Sequence, residues 1–387
     1  MLALRLARGG HAVVLARRLL VTAASAGVGF LLLYTLGHAV ANPGEPSASV
    51  PRLLWCVLPL AATVHLAVAV ARTDPGTRPR PGLSSLGLGP VRLAAIAATS
   101  TAVSCALGSA LALLFYLHLR GDLTGLPFDG AAAELLDAGA PLPLPAALTL
   151  LAVVPVAASA ATGLTLRPRR GQAAGEEAKD PFDPAPEPAG LAWGVALMAV
   201  GLAVETYAAL GTTGTAPPLL PGGLDGGPVG VLAGWLLTAV GLAVAGPGLA
   251  HLCGRLLQAL RPGPTRLLAG RALMEEAHRI GRPLGVVCAV GSATITATVL
   301  HGAGGRPLGP LTGLGAGLVM ACTLATLLTA ALETRQCRAG TTAALIRLGA
   351  PASMLRTAAA LRAGLLLTVF GPLTWAVALL AALPLRY

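Results

Sequence analysis

The chain has 387 residues, of which 55% are hydrophobic and 11% charged, and its formal net charge is +11. A soluble globular chain carries about 25% charged residues, so a soluble reading would leave two or three cores with almost no polar surface to cover them. Nucleic acid does not explain the positive charge, because aromatic residues make up only 3% and no basic stripe interleaves with them.

The apolar residues fall in blocks of about 20, the length at which a helix rising 1.5 Å per residue crosses the ~30 Å hydrocarbon core. Nine blocks follow one another, at residues 19–40, 53–72, 93–118, 143–166, 189–211, 228–250, 283–301, 308–332 and 357–383. Unpaired backbone groups are not tolerated in lipid, so each block is predicted to be a helix. The fold class is therefore all-α, a polytopic integral membrane protein. Thr22 to Val40 is long enough to span, which makes it a first transmembrane helix and not a cleaved signal peptide. Pro155, Pro247 and Pro372 lie inside blocks and predict kinks.

Basic residues sit between the blocks. With the N-terminus in the cytoplasm, 23 of the 27 basic residues fall on the cytoplasmic side and only Arg52, Arg120, Arg306 and Arg386 outside. The positive-inside rule then fixes the orientation, with an extracellular C-terminus in a bacterial cell membrane. Lys179 is the single lysine. That bias, with heavy Ala, Leu, Gly and Pro usage, points to a GC-rich genome of actinobacterial kind. The longest outer loop, 119–142, is acidic, with Asp122, Asp129, Glu134 and Asp137. Residues 167–188 are charged and Pro-rich and read as a disordered cytoplasmic linker. It separates a first membrane core (1–166) from two connecting spans (189–250) and a second core (251–387).

The two cores share sequence features. Residues 83–92 read LSSLGLGPVR and residues 345–356 read LIRLGAPASMLR, so that Leu83, Leu86 and Gly87 match Leu345, Leu348 and Gly349 at an offset of 262. A basic amphipathic stretch opens each half, at residues 1–18 and 264–282, as an interfacial helix would.

These residues resemble the FtsX-like (MacB-type) permeases of ABC transporters. In that family a cytoplasmic segment of the form E-R-R-x-E, then L-R-A-L-G-A-S and a closing Arg joins two core helices. Glu333, Arg335, Arg338, Leu345, Arg347, Leu348, Gly349 and Arg356 follow that form. Leu83, Leu86, Gly87 and Arg92 make a weaker first-half copy. The resemblance implies two core repeats joined by two extra helices, and a permease moved by a separate ABC ATPase, a homodimer carrying Mg-ATP. The chain departs from the family in three ways. The last helix of the second core has no counterpart before Tyr387, neither half has a large extracellular domain, and the first-half motif is thinned.

The chemistry in the chain is sparse. A Walker A loop needs a Lys after its glycines, and Lys179 stands in Glu-Glu-Ala-Lys-Asp, so no ATPase, enzyme or cofactor is expected on this chain. The seven His residues show no metal-ligand spacing, no catalytic or metal site is expected, and the six cysteines read as small buried hydrophobes. Arg338, Arg347 and Arg356 are placed to meet acidic residues of the ATPase. Glu205 is the one carboxylate within a block, a functional candidate by default, although water reaching the outer end of its helix explains it more simply. Gly313, Gly315 and Gly317 are read as packing glycines. The expected partners are the ATPase and membrane lipids, not nucleic acid. With such small outer loops, the cargo or target would be lipid-like, a membrane-active peptide or a partner protein. A non-transporting scaffold or sensor that keeps the architecture is the alternative. An ion-driven transporter would need several buried ionisable groups, where only Glu205 qualifies.

Overall fold

The computed structural model describes residues 2–44, 52–74, 89–123, 129–136, 138–167, 188, 190–210, 229–259, 263–304 and 309–383. Helices account for nearly all of them. They are α1 (Leu2–Ala41), α2 (Val57–Thr73), α3 (Pro90–Arg120), α4 (Leu144–Leu166), α5 (Gly190–Leu210), α6 (Val229–Ala259), α7 (Pro264–Gly304), α8 (Pro310–Arg347) and α9 (Ala352–Ala382). Among the described residues these nine are long and apolar enough to cross a membrane. The protein is an all-α polytopic membrane protein, as composition and block length require. Helices α4, α6 and α9 run on through Pro155, Pro247 and Pro372, and α7 runs through Pro283.

The chain divides into two compact units. The first comprises residues 1–178 with 219–223 and 309–326, the second residues 179–218, 224–308 and 327–387. In the first unit, α1 packs along α3, α3 along α4, and α2 against α1 and α4. Val28, Leu66, Cys105, Val154 and Cys322 are buried together at its centre. Towards the end of α1 and α3 a second cluster gathers Leu33, Tyr116 and Leu136. The loop after α3 closes over that cluster. Gly121 takes a left-handed φ of 94° and its N–H donates to the His118 carbonyl, while the Asp122 N–H donates to the Leu117 carbonyl. This pair of bonds is the Schellman ending, which favours glycine because a side chain strains that backbone. Arg120 turns back under the loop, donating to the Ala140 carbonyl and pairing with Asp122 at 3.3 Å. The loop whose acidity was evident in the sequence is thus organised by its one buried arginine.

In the second unit, α6 is the central helix, with α5 and α7 packed along it and α9 along α7. Glycines let their backbones approach. A Cβ added at Gly241 would lie 2.6 Å from the Met198 backbone nitrogen, and one at Gly281 2.5 Å from the Pro247 Cα. Gly194, Gly234, Gly246 and Gly285 face neighbouring backbone in the same way. Lipid tails are as apolar as leucine, so helices in a bilayer hold together through such close van der Waals contact. Trp193 and Tyr207, near the two ends of α5, are both exposed, where amphipathic rings anchor a helix to the membrane faces.

The offset of 262 recurs in the architecture. Helices α3 and α9 are both 31 residues long, and their first and last residues are each separated by 262. Helices α1 and α7 begin 262 residues apart. The contact inside each pair is also shared. A Cβ at Gly29 would meet the Ala112 methyl at 2.8 Å, and one at Gly291 would meet the Thr374 methyl at 3.2 Å. Both members of that contact shift by 262.

The glycines of α8 behave differently from the expectation. Gly315 lies against Trp55, but a Cβ at Gly313 or Gly317 would meet nothing within 4 Å. Gly194→Ala is expected to cost about 1–3 kcal/mol by overpacking, read as a lower thermal midpoint in detergent. Gly317→Ala is expected to hold or raise the midpoint, since it adds only helix propensity. Equal midpoints for the two variants would refute glycine packing as the tie.

Candidate functional site

The basic ends of α7, α8 and α9 form the most chemically differentiated part of the second unit. Helix α8 is 38 residues long, about 57 Å at 1.5 Å per residue, which exceeds the ~30 Å hydrocarbon core by many turns. Its apolar block ends near residue 332, so Glu333 to Arg347 continue as an overhang. Helix α7, at 41 residues, has an overhang at its start, residues 264–282, ahead of its apolar block. Both overhangs are α-helical, as the amphipathic stretches suggested.

Glu276 ties these ends together. Its carboxylate accepts an ion pair from Arg338 of α8, and Arg362 of α9 lies 4.0 Å away. Arg338 also donates to the Ala272 carbonyl of α7 at 3.1 Å. One turn along, Arg279 of α7 donates to the Cys337 sulfur at 3.2 Å. Glu276 is 12% exposed and Arg338 25%, so this pair is screened less than a surface ion pair and its charge-assisted bonds count for more. In the sequence Glu276 has Arg279 three residues on along α7, and Arg338 is placed to meet another subunit. Arg338 instead turns inward and is occupied by α7. Five cysteines are buried as expected, while Cys337 is exposed.

The remaining motif residues point away from the bundle. Arg335, Arg347, Gly349 and Arg356 are exposed, and Glu333 and Leu345 are half-buried. Leu348 is 84% exposed and Ile346 is also exposed. Gly349, with φ 91°, donates to the Ile346 carbonyl, and the Ala350 N–H donates to the Leu345 carbonyl. This second Schellman ending stops α8, and Pro351 sets the extended residue from which α9 starts. The result is a glycine-stopped tip carrying apolar and cationic side chains. Leu83, Leu86 and Gly87 of the first-half copy lie outside the described residues. Arg92 is exposed in the first turns of α3.

Glu205 does not sit in water. It is 2% exposed, and its Oε2 has no hydrogen-bond partner among the described residues. A Cβ at Gly234 would lie 2.6 Å from the Glu205 nitrogen, so the bare backbone of α6 comes up against α5 at this residue. The sequence reading missed this, because it treated residue 205 by its distance from the helix end and not by the glycine facing it. Among the described residues no group of three or more His, Cys, Asp or Glu side chains is placed to hold a metal ion.

Comparisons with family models, with curated proteins and with solved structures find no match to the chain. Its functional reading therefore rests on its own residues. Glu276→Gln is expected to speed amide hydrogen exchange across Thr334–Arg347 by roughly tenfold, the scale of one charge-assisted bond. Glu275→Gln, at the exposed neighbouring position, is the control and should leave the rates unchanged. Equal exchange in the two variants would remove Glu276 as the tie.

Proposed function

We propose that the chain is the membrane-spanning permease subunit of an ABC-type system of the FtsX-like class. The basic helix ends face the cytoplasm and meet a separate ATPase, which holds the Mg-ATP. The cargo is lipid-like or a membrane-active peptide. The observation that supports this reading is the form of the α8 overhang. It extends a spanning helix without a break, is tied to α7 and α9 through Glu276, and presents Ile346, Arg347 and Leu348 at a glycine-stopped tip. An apolar tip ringed by arginines fits a cleft with an apolar floor and acidic rim. Because the overhang is tied to its neighbours, a push on the tip moves three helices and not one. The resemblance of Glu333 to Arg356 to the family's coupling segment supports the same assignment.

The test is a pull-down of the tagged chain from detergent-solubilised native membranes, beside a variant with Leu345, Arg347 and Leu348 replaced by Ala. The wild-type chain is expected to co-purify with an ABC ATPase and the variant to lose it by more than about tenfold, as loss of an interface hot spot does. If no ATPase accompanies either chain, the permease reading fails and a scaffold or sensor takes its place.

A further inference from the structure

Two adjoining spans of the second unit carry no positive charge. Between Lys179 and His251 the sequence has no Lys, Arg or His, so α5, and α6 as far as Ala250, hold no basic side chain. Glu205 nonetheless lies in the seam between them. It is 2% exposed, and its Oε2 is without a partner among the described residues. A Cβ at Gly234 would lie 2.9 Å from the Glu205 Cβ, which sets the root of the side chain directly against α6.

None of the described groups around it offsets a charge. The helices packed against α5 are α6 and α9. On α6 the first basic side chain is His251, about 25 Å beyond Gly234 at 1.5 Å per residue. On α9 the charged residues are Arg356 and Arg362, and Arg362 is directed to Glu276 at the basic end. On α5 itself the one other titratable side chain is Tyr207, which is exposed. The nearby hydroxyls are spent as well. Thr206 donates to the Leu202 carbonyl and Thr238 to the Gly234 carbonyl, each within its own helix, and a hydroxyl has one hydrogen to give.

A carboxylate can only accept, so in its charged form Glu205 meets neither a cation nor a donor. Water has no room beside it in the seam, because a Cβ at Gly234 would also lie 2.7 Å from the Gly201 carbonyl oxygen. A gap too tight for a methyl group does not admit a water molecule. A charge buried on these terms is strongly unfavourable, and a bound proton removes it.

We propose that Glu205 is a proton-binding site within the membrane-spanning part of the second unit, filled while α5 and α6 are packed together and emptied only when their seam opens to water. The site stands apart from the α8 tip and does not depend on ATPase coupling.

The test uses the full chain in nanodiscs, with infrared spectroscopy in H₂O and D₂O beside the variant Glu205→Gln. At neutral pH the wild-type chain is expected to show the C=O stretch of a protonated carboxylic acid, shifted in D₂O, and Glu205→Gln to lose that band. As the pH is raised the band should fade. Amide exchange in α5 should then quicken relative to Glu205→Gln, whose side chain is neutral throughout, by up to about tenfold per pH unit, the slope of one released proton. A neutral-pH spectrum that Glu205→Gln leaves unchanged would overturn the proposal. So would a band that fades while exchange in the two chains stays equal. Failure of Glu205→Gln to fold would overturn it too, because an uncharged amide of the same size keeps the neutral group that the packed seam requires.

Discussion

Helices surrounded by lipid gain nothing from hiding leucine, so the architecture depends on how closely their backbones come together. In the second unit that approach is made by glycine. Gly194, Gly234 and Gly241 seat α5 against α6, and Gly246, Gly281 and Gly285 seat α6 against α7. In the first unit the same role falls to fewer positions, with Gly29 against Ala112 and Gly108 against Ser25. Hydroxyls reinforce the contact, as Ser25 donates to the Cys105 carbonyl and Thr296 to the Ala378 carbonyl.

Charge is arranged on a different plan. The ion pairs described above lie at or beyond the margins of the apolar blocks. Arg18 of α1 meets Asp74, the residue that follows α2, at 3.0 Å, and Glu276 of α7 meets Arg338 of α8. The interior of each unit is thus held by shape and its ends by electrostatics.

The spans were legible because a 20-residue apolar block has few alternatives in lipid, and all nine blocks coincide with helices. The overhangs were legible as amphipathic basic stretches, and the end of α8 from Gly349 followed by Pro351. Contacts between helices were not. Glu276 has Arg279 at helical spacing on α7, while the ion pairs it makes come from α8 and α9. The glycines of α8 looked like a packing motif because they are closely spaced, yet the seam lies at Gly234, Gly241 and Gly281. Spacing along one helix cannot say which face meets a neighbour. The first-half copy at Leu83, Leu86 and Gly87 falls outside the described residues.

The two end pairs differ in one respect that the repeat brings out. Moved by 262 residues, Arg18 falls one turn from Glu276, and Asp74 falls two positions from Arg338. The pairs are equivalent in place but reversed in sign. The two units are therefore not interchangeable at these places: Arg18→Glu, which copies the sign of the second unit, would set a carboxylate against Asp74, and Glu276→Arg, which copies the sign of the first, would set a guanidinium against Arg338.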